Sequence, residues 1–181
     1  MDHDIIPERI VTGHDERGMS RVMIKGKLPQ IIELPNGLVG EAWVSGPPPF
    51  DNGAVDDDLA ANPLQILPHS GGSAFRFFTL MPYDDSFSEE ELQRRGAQAL
   101  EAMGGSSRDQ DTSRHAEMHK TDSLDYVMLL KGTATLIMEE VEVELKPFQV
   151  VVQRGTNHAW VNRGAETALL AAVVIPNSKL K

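Results

Sequence analysis

Apolar and polar residues alternate with a period of two along most of this chain, the signature of strands buried on one face. Arg9–Thr12 and Met19–Ile24 read as two strands joined by a charged turn. Gly40–Ser45 is a third, stopped by Gly46 and three consecutive prolines, which donate no ladder hydrogen bonds. Ser73–Met81, aromatic and apolar, is a fourth, ended by Pro82. Beyond Tyr126 the alternation is dense. Tyr126–Leu130, Thr133–Met138, Val141–Leu145, Val150–Val152, Trp160–Asn162 and Thr167–Ile175 follow one another, with turn signals such as Gly132 and Arg163-Gly164 between them. Short strands at this spacing predict a sandwich or small barrel rather than βαβ units.

One helix interrupts the strands. Ser88 and Glu91 form a capping box, and Leu92, Ala99, Leu100 and Met103 fall near one stripe before Gly104-Gly105 supplies the stop. The apolar stripe is narrow and Gly96 breaks it, so the helix is expected to lie on the sheet surface or over an opening, held by packing. Residues 47–72, rich in Pro, Gly, Asp and Asn, read as a surface excursion. Asp56-Asp57-Asp58 within it reads as a solvated acidic loop, because successive side chains of extended chain point to opposite faces. The polar stretch Gly104–Ser113 reads as mobile. The expected layout is an N-terminal extension with added strands and a Pro/Gly-rich loop over 1–87, a surface helix over 88–104, and a barrel core over 114–177.

Composition narrows the chemistry. The chain has 181 residues, 27 acidic against 17 basic, a formal charge of −10, and no cysteine. Disulfides, thiolate metal sites and thiol nucleophiles are thereby excluded. A sequence pI near 5.0 without clustered Lys and Arg argues against a nucleic-acid partner. Met1–Ile10 has neither a basic n-region nor an apolar h-region, and no stretch approaches the roughly 20 apolar residues that span a bilayer. A soluble cytoplasmic protein acting on a small molecule is the expectation. No phosphate-cradling glycine loop and no nucleophile elbow is present.

Four polar residues fall where the strand faces should turn inward. His119 and Thr121 share a face, Asp125 shares one with Val127 and Leu129, and His158 shares one with Trp160 and Asn162. A carboxylate among apolar neighbours needs a partner, since burying it alone costs several kcal/mol. Two imidazoles and a carboxylate in an apolar barrel suggest either a metal site or an acid–base site.

The two segments that carry these residues resemble the cupin family. The first cupin motif runs His-x-His, three or four residues, Glu, six residues, Gly; here stand His119-Lys-Thr121, Asp125 and Gly132. The second ends in Gly, two residues, His, three residues, Asn; here stand Gly155, His158 and Asn162, within a Gln153-Arg-Gly-Thr-x-His-Ala-Trp160 run similar to the small conserved-barrel group. The match covers about residues 115–175. Gln153 and Pro147 depart from the second motif's turn residues. The resemblance implies a double-stranded β-helix or jelly-roll barrel with a site in its mouth; with the strands and helix read above, the expected fold is all-β, with an N-terminal strand extension and one short helix.

Carried over by position, His119, Asp125 and His158 match metal-ligand roles, for Fe, Mn, Ni or Zn. Thr121 replaces the second histidine, and aspartate replaces the glutamate. Two readings therefore stay open: a divalent ion on three protein donors, or a metal-free pocket in which His158 or His119 is the base and Asp125 fixes its tautomer. Thr121, Trp160, Arg154 and Asn162 are the expected substrate contacts, and His115 is a rim residue or substitute ligand. The function implied is decarboxylation, dehydration, isomerisation or oxygenation of a small oxygenated metabolite; the alternative is a metal-free binding or sensing barrel. Strands outside the motifs predict a homodimer, since exposed edges tend to be covered. Met23, Met81, Met118, Met128 and Met138 read as core filler.

Overall fold

A computed structural model describes residues 1–49, 58–68, 71–105 and 111–177. Eleven strands and one α-helix are found among them. In chain order the elements are β1 (Arg9–His14), β2 (Ser20–Gly26), β3 (Ile31–Leu34), β4 (Gly37–Ser45), β5 (Ser73–Leu80), α1 (Glu89–Ala102), β6 (Ser123–Lys131), β7 (Ala134–Met138), β8 (Glu142–Leu145), β9 (Val150–Gln153), β10 (His158–Val161) and β11 (Ala168–Pro176). The larger sheet has the order β3-β4-β5-β11-β6-β9, the smaller β10-β7-β8, and β1-β2 form a separate hairpin. Every strand pairing is antiparallel.

A backbone bridge between His119 and His158 adds a fourth member to the smaller sheet, beside β10. From β5 onward the chain then visits large sheet, small, large, small, small, large, small, large. That is the strand path of a jelly roll, two interleaved Greek keys, so the expected double-stranded β-helix is present. Leu80, Leu129, Leu136, Leu145 and Leu170 fill the space between the sheets. β3 and β4 lengthen the larger sheet at its β5 edge. The β1-β2 hairpin is tied back through Arg9, which donates to the Ala42 carbonyl at 3.0 Å and pairs with Asp58 at 2.7 Å.

Helix α1 lies in the connection from β5 to the His119 segment. The Ser88 hydroxyl accepts from the Glu91 amide at 3.2 Å, as the capping box requires. At the other end Gly105 donates to the Leu100 carbonyl and Gly104 to that of Glu101, with Gly104 at φ 67°, a Schellman stop that glycine adopts without strain. None of the described helices is long and apolar enough to cross a membrane.

Some expectations need correction. β3 is a strand the sequence reading passed over. Asp58 is not a solvated loop residue: it caps the short 3₁₀ turn Leu59–Ala61 and is ion-paired with Arg9. Asp56 and Asp57 lie outside the described residues, as do 106–110 of the stretch read as mobile. Met118 is buried, but Met81 and Met128 are exposed, because their strand positions point away from the core.

Candidate functional site

A cavity of about 170 Å³ opens between the two sheets beneath α1. Gly96, Ala99, Leu100 and Met103 of the helix form its roof, so the narrow apolar stripe faces the barrel mouth. The small residues at 96 and 99 leave the space open: a Cβ at Gly96 would stand 3.3 Å from Glu117 Cγ. From the larger sheet come Arg76, Phe78, Asp125 and Val127. The smaller sheet and the chain leading into β6 supply Glu117, His119, Thr121, His158 and Trp160. Of the residues singled out by sequence, His119, Thr121, Asp125, His158 and Trp160 thus line one cavity.

Two do not. Arg154 is exposed and is absent from the cavity wall. Asn162 is 1% exposed and its amide is fully used: Nδ2 donates to the Leu80 and Glu166 carbonyls, and Oδ1 accepts from the Gly164 amide and the Thr133 hydroxyl. It ties the end of β5 to the β10–β11 turn, a structural duty that leaves nothing for substrate. His115 also stays off the cavity. Its Nδ1 accepts from the Glu117 amide at 3.2 Å and its ring lies 5.8 Å from that of Tyr83.

The two histidine rings lie side by side, centroids 4.5 Å apart. His119 Nδ1 donates to the Glu117 carbonyl at 3.1 Å, and His158 Nδ1 to the Thr156 carbonyl at 2.9 Å. A carbonyl only accepts, so Nδ1 carries the proton in both rings and each Nε2 is a bare acceptor. This corrects the expectation that Asp125 sets the tautomer; backbone carbonyls do. Burial and the neighbouring His119 push His158 down to about 3, and burial lowers His119 too, so both rings are neutral at physiological pH.

Asp125 stands on β6 opposite Gln153 and Val174. Its Oδ1 is buried with no hydrogen-bond partner among the described residues. Burial raises its pKa, against the opposing pulls of Ser123 and of the Arg76 charge. Thr121 Oγ1 accepts from the Ser123 hydroxyl at 2.9 Å, which frees its own proton to donate. Arg76, almost wholly buried, pairs with Glu41 at 2.8 Å and donates to the carbonyls of Gln65 and Ile66; its Nε has no partner among the described residues.

Bare imidazole nitrogens are good donors to a divalent ion. However, among the described residues no three His, Asp or Glu side chains come together in a group that could hold one. The residues present therefore do not fit the three-donor centre that the resemblance implies: the hydroxyl of Thr121 occupies the missing imidazole's place, and Asp125 stands on the opposite sheet.

Glu117 and Arg76 were missed by sequence reasoning. Both signals were available. Glu117 lies two residues before His119 in the segment that enters the barrel, and Arg76 shares strand parity with the inward-facing Ala74 and Leu80.

No family model matches the chain. Two curated proteins of Diaporthe leptostromiformis are similar to it. Phomopsin biosynthesis cluster protein C′ is 28% identical over 164 residues, and cluster protein D 29% over 166; each alignment covers 87% of this chain and 71% of the relative. Solved structures similar to it include a predicted oxalate decarboxylase from Thermotoga maritima, at 16% identity and TM-score 0.36 over 57% of this chain and 65% of that one. A Cupin 2 conserved barrel domain protein from Salinispora arenicola matches at 15% and 0.36, over 57% and 62%. AerE from Microcystis aeruginosa matches at 15% and 0.45, over 85% and 48%. The chain spans less than two thirds of each of these three.

Proposed function

We propose that this chain is a small-molecule enzyme in which Asp125 moves a proton on a compact oxygenated metabolite held beneath α1, in an isomerisation or dehydration. The observation that carries this reading is the buried, partnerless Oδ1 of Asp125 in a cavity that also presents two bare imidazole nitrogens. Burial lifts the carboxyl toward the pH at which a group both takes and gives protons effectively. The carboxylate removes a proton from a carbon beside a carbonyl, and the electron pair moves onto the carbonyl oxygen. The Thr121 hydroxyl is the free donor for that oxygen. In an isomerisation the reacting carbon also carries a hydroxyl, whose proton passes to the enolate oxygen as the carboxyl returns its own proton to the former carbonyl carbon. In a dehydration the enolate re-forms the carbonyl, a C=C bond forms, the next carbon's C–O bond breaks, and the carboxyl gives its proton to the departing hydroxyl as water. His119 and His158 accept hydrogen bonds from substrate hydroxyl or amino groups and orient it. The names of the two fungal relatives, members of a biosynthesis cluster, support a small-molecule setting.

Incubation with compact keto and hydroxy compounds in deuterated water, followed by proton NMR, tests the reading. The intact chain should exchange or convert at least one of them, and Asp125→Asn should slow that by about 10²–10⁴-fold, the usual contribution of a positioned acid–base group. A compound that binds without exchange or conversion would instead favour the non-catalytic binding barrel.

We further propose that the chain works as a homodimer. The β1-β2 hairpin pairs with no other strand among the described residues, and an isolated two-stranded hairpin is marginal in water. Tyr126, Met128, Val150 and Val152 are exposed neighbours on the outer face of the larger sheet. A second copy covers both features. Light scattering should give twice the chain mass of 19.9 kDa, and Val152→Lys should lower it toward one; a concentration-independent monomer would remove the proposal.

A further inference from the structure

We propose that Glu117 binds the cationic end of the substrate, so that the molecule taken by this cavity carries an amine; the assignment rests on the proton-transfer reading above and narrows its substrate class. The cavity wall has an excess of acceptors. Among the described residues Asp125 Oδ1 has no hydrogen-bond partner and neither His119 Nε2 nor His158 Nε2 is given one; His158 is 3% exposed, a deeply buried polar ring on the cavity wall. Among the described residues the Glu117 carboxylate accepts hydrogen bonds from the Asn36 amide alone, at 3.4 and 3.5 Å from its two oxygens, while the Arg95 charge acts on it from further off. Distances that long make weak bonds, far short of what a largely buried carboxylate requires.

Arg76 spends its terminal nitrogens on Glu41 and two carbonyls. Arg95 on α1 donates to the Pro35 carbonyl and lies over the Phe87 ring, 4.4 Å from its centroid, and makes no ion pair with Glu117. An anionic ligand would thus meet the carboxyl groups of Asp125 and Glu117, while the terminal nitrogens of Arg76 are already taken. An ammonium group meets a carboxylate that lacks a strong partner, together with imidazole acceptors. That pairing forms charge-assisted hydrogen bonds in a site partly closed to water. Gly96 lets α1 pack closely over Glu117, where a Cβ would stand 3.3 Å from its Cγ. The chain's net charge of −10 adds attraction at long range.

The test uses three probes matched in shape: cyclohexylamine, cyclohexanol and cyclohexanecarboxylate. A cavity of about 150 Å³ holds a benzene ring, so a six-membered ring suits this one. With the full chain treated with EDTA at pH 7, titration calorimetry should show the amine binding at least about tenfold more tightly than the carboxylate. Glu117→Gln, nearly the same shape, should abolish that preference, bringing the amine's affinity down to that of cyclohexanol. Equal or tighter binding of the carboxylate would overturn the assignment. So would a preference that survives Glu117→Gln, failure of all three probes to bind at millimolar concentration, or displacement of the amine by Mn²⁺ alone. The Asp125 exchange experiment is independent. A carboxylate preference would leave it standing, whereas lost exchange with a retained amine preference would leave Glu117 reading cations in a binding barrel.

Discussion

Glu41→Gln should lower the thermal midpoint by roughly 10 °C. Arg76 and Glu41 face each other across β5 and β4 in direct register and are both almost completely shielded from water. Removing the carboxylate leaves a guanidinium charge with carbonyl partners only, and breaking a buried pair in this way costs about 3–5 kcal/mol. For a chain of this size each kcal/mol moves the midpoint by about 2–4 °C. Burial pushes Glu41 up and Arg76 down, each toward its neutral form, and the pairing opposes both. The pair therefore compensates for its own desolvation rather than adding net stability. It follows that Glu41→Met combined with Arg76→Met should recover most of the loss. Differential scanning calorimetry of the single and double variants checks both parts. A single variant that melts within a degree or two of the parent would show that Arg76 does not depend on Glu41.

The two halves of the chain were legible in the sequence to different degrees. Beyond Tyr126, strands alternate cleanly because one face meets the core, and β6 to β11 fall close to where that pattern puts them. Ser88 and Gly104 bound α1 because each satisfies a specific unpaired backbone group at a helix end. β3 was not legible: its four residues, Ile31–Leu34, are too few for a period to show, and their strand character comes from pairing with β4. In the same way, strand parity cannot tell inside from outside when both faces are apolar. Tyr126, Val150 and Val152 point to solvent because the sheet turns them there.

For the site, sequence placed His119, Thr121, Asp125, His158 and Trp160, and all five border one cavity. Their mutual arrangement was beyond it. Motif spacing brings two histidines onto adjacent strands, but which atom satisfies each Nδ1 depends on loop carbonyls at 117 and 156. Asn162 was placed on the correct strand face and still belongs to the scaffold, because an amide can cap a turn as readily as it can meet a substrate.

The stability of the folded chain should fall as pH drops from 6.5 toward 3, and His158 should account for a large share of that fall. Its folded pKa is about 3, against 6.5 for an ordinary histidine, because burial and His119 disfavour the imidazolium. Between those values the unfolded chain binds a proton at this position that the folded chain refuses, so stability rises with pH there. At about 1.4 kcal/mol per unit, the full window is worth on the order of 5 kcal/mol. His119 acts in the same direction. Asp125 and Glu117, raised by burial, act in the opposite one, and lose stability as pH rises above the ordinary carboxylate range. Comparison with a variant cancels those terms. His158→Asn keeps an amide donor near the Thr156 carbonyl and removes the titrating ring. Urea unfolding at pH 7, 5.5 and 4 should show the parent losing several kcal/mol more than the variant over that range. Parallel curves for the two proteins would mean that His158 takes up its proton in the folded state, and the bare Nε2 assigned to substrate contact would then be a donor instead.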